Sequence, residues 1–138
     1  MVSGCSTSSV NSKSASNQIV RVIDGDTIVV AGDERVRLIG IDTPEKGECG
    51  FEYAKLSLEN LLSDGEILFF DGAASDTDKY GRLLRYVEVS GVDAGLQLIT
   101  EGLAIARYDS RDGYGKHDRE DQYIKADNES LKANGCQT

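Results

Sequence analysis

The chain has 138 residues, enough for one domain with a real core and too few for two comfortable ones. Its 24 acidic against 15 basic residues leave a formal net charge of -9, which excludes a generic electrostatic nucleic-acid binder; such a role needs a local basic patch or a bound metal. No apolar run approaches the length that spans a bilayer, and 15 glycines among short apolar runs point to a turn-rich fold with strands.

Residues 1–17 read as a disordered Ser-rich tether: Ser6 to Asn17 offers only Val10 and Ala15 to bury, too little to offset ordering entropy. Cys5 follows Val2-Ser3-Gly4, which looks like the end of a bacterial lipoprotein signal whose apolar part is missing; a truncation scar holding a stray cysteine is the alternative. The cysteines, Cys5, Cys49 and Cys136, are widely spaced with no C-x-x-C pair, so a zinc site is not expected. With Cys5 as a lipid anchor, Cys49 and Cys136 remain as a pair in an oxidising setting. A bridge between them closes a loop of roughly 90 residues and contributes about 4 to 5 kcal/mol in the chain-entropy model. Spacing alone does not show that they meet.

Residues 18–138 form the folded domain. Ile19 to Ile23 predicts a strand, Asp24-Gly25-Asp26 a tight turn in which Gly25 can take a positive φ, and Thr27 to Val30 the returning strand. A turn at Ala31 to Glu34 leads to a third strand, Arg35 to Ile41. The strand ends at the only proline, Pro44, which has no N–H and holds Thr43 out of the α region. Asp42 and Glu45 therefore sit at a strand end. An amphipathic helix follows, with Phe51, Ala54, Leu58, Leu61 and Leu62 at helical spacing and Ser63-Asp64-Gly65 as its stop. Ile67 to Phe70 is a fourth strand, Asp71 to Tyr80 a polar loop, and Arg82 to Val89 a fifth strand. Asp93 can cap a second helix ended by Gly102. Leu103 to Tyr108 is extended, Asp109 to His117 is polar loop, and Asp118 opens a third helix with acidic residues in its first turn. That helix carries only Tyr123, Ile124 and Leu131 as an apolar stripe, so it docks weakly unless something ties it down. Five strands with three α-helices fit an α+β fold built on a five-stranded β-barrel of the oligonucleotide/oligosaccharide-binding (OB) kind. A two-layer α+β sheet is the alternative.

Three segments carry chemistry together: Asp24-Gly25-Asp26-Thr27, the run from Arg37 to Glu45, and Asp78-Lys79-Tyr80-Gly81-Arg82. Each alone is an ordinary turn, strand end or charged loop. Together, as I-D-G-D-T, R-L-x-x-x-D-T-P-E and D-K-Y-G-R, and with Glu101-Gly102-Leu103-Ala104 after the second helix, they resemble the thermonuclease family of staphylococcal-nuclease-like domains. The resemblance covers about Gln18 to Leu131.

The resemblance implies a five-stranded barrel with three helices and a calcium-dependent phosphodiesterase that cuts DNA and RNA to leave 3′-phosphates. Asp26 and Asp42 match carboxylates that bind calcium, Thr43 the position lending its backbone carbonyl, and Asp24 a carboxylate just behind them. Glu45 matches the residue usually assigned to activating water, and Arg37 and Arg82 the arginines that grip the scissile phosphate. Lys79 and Tyr80 match contacts to a terminal phosphate, and Tyr108 a tyrosine lining the nucleotide pocket. The residue types suit the chemistry independently. Calcium prefers carboxylate and carbonyl oxygens, and arginine forks match phosphate oxygens. Four carboxylates against two arginines leave two negative charges, which one calcium ion cancels.

The departures are the overall acidity, Ser110 where a second pocket aromatic is common, and the absence of tryptophan, whose anchoring of the last helix a Cys49–Cys136 bridge would replace. His117, the single histidine, reads as a solvated loop residue. The expected protein is a monomeric nuclease, secreted or held at the bacterial envelope through a lipid on Cys5. Its rivals are a non-catalytic OB-fold module that binds nucleic acid and an acidic calcium-binding structural domain.

Overall fold

The computed structural model describes residues 17–132; the tether apart from Asn17, and with it Cys5 and Cys136, lies outside the described residues. β1 (Ile19–Asp24), β2 (Thr27–Val30) and β3 (Glu34–Leu38) form an antiparallel meander, as the short turns between them predict. After α1 (Phe51–Leu62) come β5 (Ile67–Phe70) and β6 (Leu83–Val89), and β6 lies parallel to β3. The sheet order is β1-β2-β3-β6-β5, with the two-residue β7 (Val92–Asp93) attached to β6. The sheet curls on itself: Asn17, at the head of β1, donates to the carbonyl of Ile67 in β5 at 3.5 Å. This five-strand order with three α-helices is the predicted α+β OB-type architecture rather than a flat two-layer sheet.

The core is the concave face of that curl. Ile28, Val36, Leu38, Leu83 and Val87 are fully buried, and α1 lays Ala54, Leu58 and Leu62 over them. Each fully buried leucine contributes about 1.5 to 3 kcal/mol. α2 (Ala94–Thr100) buries Leu98 and Ile99 and begins as expected, with the Asp93 carboxylate accepting from Leu96 N.

The structure corrects the sequence reading at several points. The predicted third strand is two strands. β3 stops at Leu38, the chain kinks at Gly40 (φ 76°), and β4 (Ile41–Asp42) pairs antiparallel with β8 (Ile105–Ala106). Arg37 clamps the kink, donating from Nη1 to Leu38 O at 2.7 Å and from Nη2 to Ile41 O at 3.0 Å. Gly25 is not in the left-handed region. It is glycine because a Cβ there would lie 2.8 Å from both Ala54 Cβ and Thr43 Cγ2.

α3 (Glu120–Glu129) starts two residues later than the sequence suggests, and Leu131 is outside it and exposed. A buried polar network docks it instead of an apolar stripe. Tyr123, 1% exposed, donates through its hydroxyl to the Asp93 carboxylate at 2.9 Å, and Arg119 bridges Asp93 and Glu88 at 2.9 and 2.8 Å. Burial and the neighbouring Asp93 push the Tyr123 hydroxyl far above its ordinary value. Asp127 fastens the far end by accepting from Ala106 N.

His117 is buried, 3% exposed, and not solvated. Arg119 N donates to the Tyr86 hydroxyl, which is hydrogen-bonded to His117 Nδ1 at 2.6 Å. Burial holds the imidazole below its usual pKa against the pull of Glu120 and Asp109. Tyr86, also buried, is pushed up to about 12.

Candidate active site

The hairpin turn between β1 and β2, the kink after β3 and the loop before β6 converge on one cleft of about 730 Å³. Asp24, Asp26, Arg37, Glu45, Lys79, Tyr80, Arg82 and Tyr108 line it. Asp42 and Thr43 sit beside it rather than on its lining. Alternation alone would put Asp24 on the same face as buried Val22. A register shift between Val22 and Asp24 re-aims it, as bulges beside sites commonly do.

Asp26 is the electrostatic centre. Its carboxylate accepts from Thr43 N and Oγ1 at 3.2 and 3.1 Å and from Thr27 Oγ1 at 3.0 Å, and lies 3.4 Å from Arg37 Nη2. Burial works to raise its pKa, but Arg37, the Asp24 hydroxyl and the Thr43 and Thr27 donors hold it below the ordinary carboxylate value. Asp24 goes the other way. Burial, a side-chain hydrogen bond to Asp26 and repulsion from it raise Asp24 from 3.8 to about 6. Below about pH 6 the pair therefore holds one proton between the two carboxyls, and above it both are charged and repel each other.

That pairing is the fit test for a metal. Among the described residues no three carboxylate, histidine or cysteine side chains assemble as a ready metal cluster. The Asp24–Asp26 pair, with Asp42 adjacent to Thr43, nevertheless supplies hard oxygen donors whose mutual repulsion a divalent cation would relieve.

The cations are placed as follows. Arg37 is nine-tenths buried, tied to the kink carbonyls, with its guanidinium 5.3 Å from the Tyr108 ring centroid. Arg82 is held by Asp78, which accepts from Arg82 Nε at 2.7 Å and from Arg82 N at 3.0 Å. Tyr80, 71% exposed, has both Arg82 and Lys79 over its ring. Glu45 is exposed at the cleft, in the loop that leads to Cys49, which is disulfide-bonded.

The family model described as staphylococcal nuclease homologue matches residues 35–134. This chain belongs to that family. It is 37% identical over 114 residues to the thermonuclease of Staphylococcus intermedius, covering 73% of this chain and 65% of that protein. It is 33% identical over 125 residues to the thermonuclease of Staphylococcus hyicus, covering 83% and 72% respectively. Over 97 residues it is 37% identical to endonuclease YncB of Bacillus subtilis (strain 168), covering 64% of this chain and 46% of that one.

Several residues of this homologue's site escape the motifs. Tyr114 lines the cleft and packs edge-on against Tyr108 at 5.5 Å, placing a second aromatic there although Ser110 is not one. An exposed tyrosine between Gly113 and Gly115 is the signal that could have found it. Ser110 instead anchors the loop, donating through N and Oγ to the Glu120 carboxylate. Tyr108 itself sits at φ 58°, held by its N–H donating to Asp112 Oδ2 at 2.7 Å. Arg85, 3% exposed, pairs Asp71 and Asp76 and fixes the loop that walls the cleft. Arg107 ion-pairs Asp42 at 2.9 Å.

Proposed function

We propose that this chain is a calcium-dependent nuclease that hydrolyses phosphodiester bonds of DNA and RNA and leaves 3′-phosphates. The observation that carries the reading is the facing Asp24–Asp26 pair beside Arg37, in a cleft that Arg82 also lines. Membership of the nuclease family and the printed activities of its relatives support it. Asp26, Asp42 and the Thr43 carbonyl would hold the calcium, with Asp24 behind them; bound there, the ion supplies Lewis acidity and offsets charge on the phosphate.

The chain's own residues do the rest. Arg37 and Arg82 donate to the non-bridging phosphate oxygens, where planar forks match the geometry. Glu45 accepts the proton of the attacking water as its oxygen bonds to phosphorus; the bond to the 5′ oxygen breaks, and that oxygen leaves as a hydroxyl with a proton from solvent. Lys79 and Tyr80 take a terminal phosphate at the rim. Tyr108, with Tyr114 against it, offers a stacking face to a base, worth about 1 to 3 kcal/mol per base.

Action as a monomer, export to the envelope or medium, a Cys49–Cys136 bridge and a lipid on Cys5 belong to the same reading. A disulfide at Cys49 supports an oxidising compartment, and among the described residues no helix is long and apolar enough to cross a membrane. Mass spectrometry of the exported protein tests the bridge and the lipid.

One observation favours a rival, the non-catalytic binding module: Asp42 is already engaged by Arg107. Incubating single-stranded DNA with the protein, in calcium and in excess chelator, separates the two. Cleavage in calcium alone, with products bearing 3′-phosphates, is expected. Cleavage that survives chelation overturns the metal role, and binding without cleavage in either condition makes the domain a binding module.

A further inference from the structure

We propose that Arg107 is an internal stand-in for the cation: its guanidinium holds Asp42 and covers Tyr108 until a divalent ion displaces it, and so sets the cation affinity of the site. The proposal rests on the reading of Asp42 as a cation ligand. Arg107 lies outside every motif that marks the site, yet it makes two contacts there. Its Nη1 is 2.9 Å from Asp42 Oδ2, and its guanidinium carbon is 5.2 Å from the Tyr108 ring centroid.

The main chain fixes where the side chain starts, because Arg107 N donates to Gly40 O at 3.0 Å, beside the kink. The side chain is 51% exposed. Arg37 packs on the same ring but is 10% exposed and committed to the Leu38 and Ile41 carbonyls. Of the two guanidiniums on Tyr108, Arg107 is therefore the one able to leave.

A guanidinium and a divalent ion cannot share one carboxylate without repulsion, so the ion must expel Arg107 or bind against it. Either way the arginine weakens cation binding, and its departure uncovers the Tyr108 ring for a base. Cation and nucleotide then favour each other, because each selects the state in which Arg107 has left.

The test is calorimetric titration of metal-free protein with calcium chloride alone at moderate ionic strength, comparing the wild type with Arg107→Gln. Lys125→Gln, which removes an equal charge from α3 and frees only Glu129, is the charge control. Arg107→Gln is expected to lower the calcium Kd by about 3- to 10-fold, the scale of one partly exposed ion pair plus one nearby charge. Lys125→Gln should change it less than about twofold. Circular dichroism and thermal melts confirm that both variants fold. Calcium binding seen in the variant but not in the wild type also supports the proposal. An unchanged or weaker Kd in Arg107→Gln, or equal tightening in both variants, overturns it. No binding by any of the three proteins overturns the assignment of Asp42 as a cation ligand, and the proposal with it.

Discussion

Replacing Asp24 by Asn removes one charge from the facing carboxyl pair while keeping Oδ1 as acceptor for the Asp26 N–H, 3.1 Å away. In the folded chain Asp24 is raised from 3.8 to about 6. A folded-state value above the unfolded one means that the native protein binds more protons between those limits. Its contribution to stability is thus full below about pH 4 and is lost as the pH rises through about 6. The shift corresponds to about 3 kcal/mol, which solvent screening of a partly exposed group reduces to about 1 to 2 kcal/mol. Asparagine cannot ionise, so Asp24→Asn should be more stable than wild type by that amount at pH 8, raising Tm by roughly 3 to 8 °C. Near pH 3.5 the two should melt together. His117, whose depressed pKa makes stability fall as pH drops below about 6.5, is common to both proteins and cancels in the difference. The assay is thermal unfolding by circular dichroism from pH 3.5 to 8 in chelator. Millimolar calcium should then narrow the gap, because only the wild type carries the full charge for the ion to relieve. A variant no more stable than wild type at pH 8, or a gap that does not change with pH, refutes the facing pair.

Two further substitutions probe the clamp and the kink. Arg82→Lys keeps the charge but loses the fork and the Nε bond to Asp78, so kcat should fall by about 10²-fold with little change in Tm; near-normal turnover of single-stranded DNA would refute a bidentate role. Gly40→Ala forces a side chain into φ 76° and sets its Cβ 2.4 Å from His117 Nε2. It should cost about 2 to 4 kcal/mol in urea unfolding, and an unaffected midpoint would show that the kink and the histidine are not in contact.

The helices, the meander and the motif positions were legible because they depend on local signals. Period and stop residues marked α1 from Phe51 to Leu62, and Asp93 is the cap its position suggested. Asp24, Asp26, Arg37, Glu45 and Arg82 share one cleft because each lies at the end of a strand or in the loop beside one, and the curl gathers those ends. What failed were readings that depend on distant partners. His117 looks solvated from its polar neighbours, yet Tyr86 and Gly40 enclose it from another part of the chain. α3 looks weakly docked because an apolar stripe is visible in sequence while the Tyr123–Asp93–Arg119 network is not.

The sequence by itself determined which carboxylates and arginines the proposed site draws on, and roughly where along the chain they fall. Only the tertiary structure decided how those charges are shared. Asp26 belongs to Arg37 and Thr43, Asp24 is pushed up to about 6 by burial and by Asp26, and Asp42 is held by Arg107. The reason is physical: a charge is set by residue type, but its pKa and partner depend on distances that the packing of the barrel alone fixes.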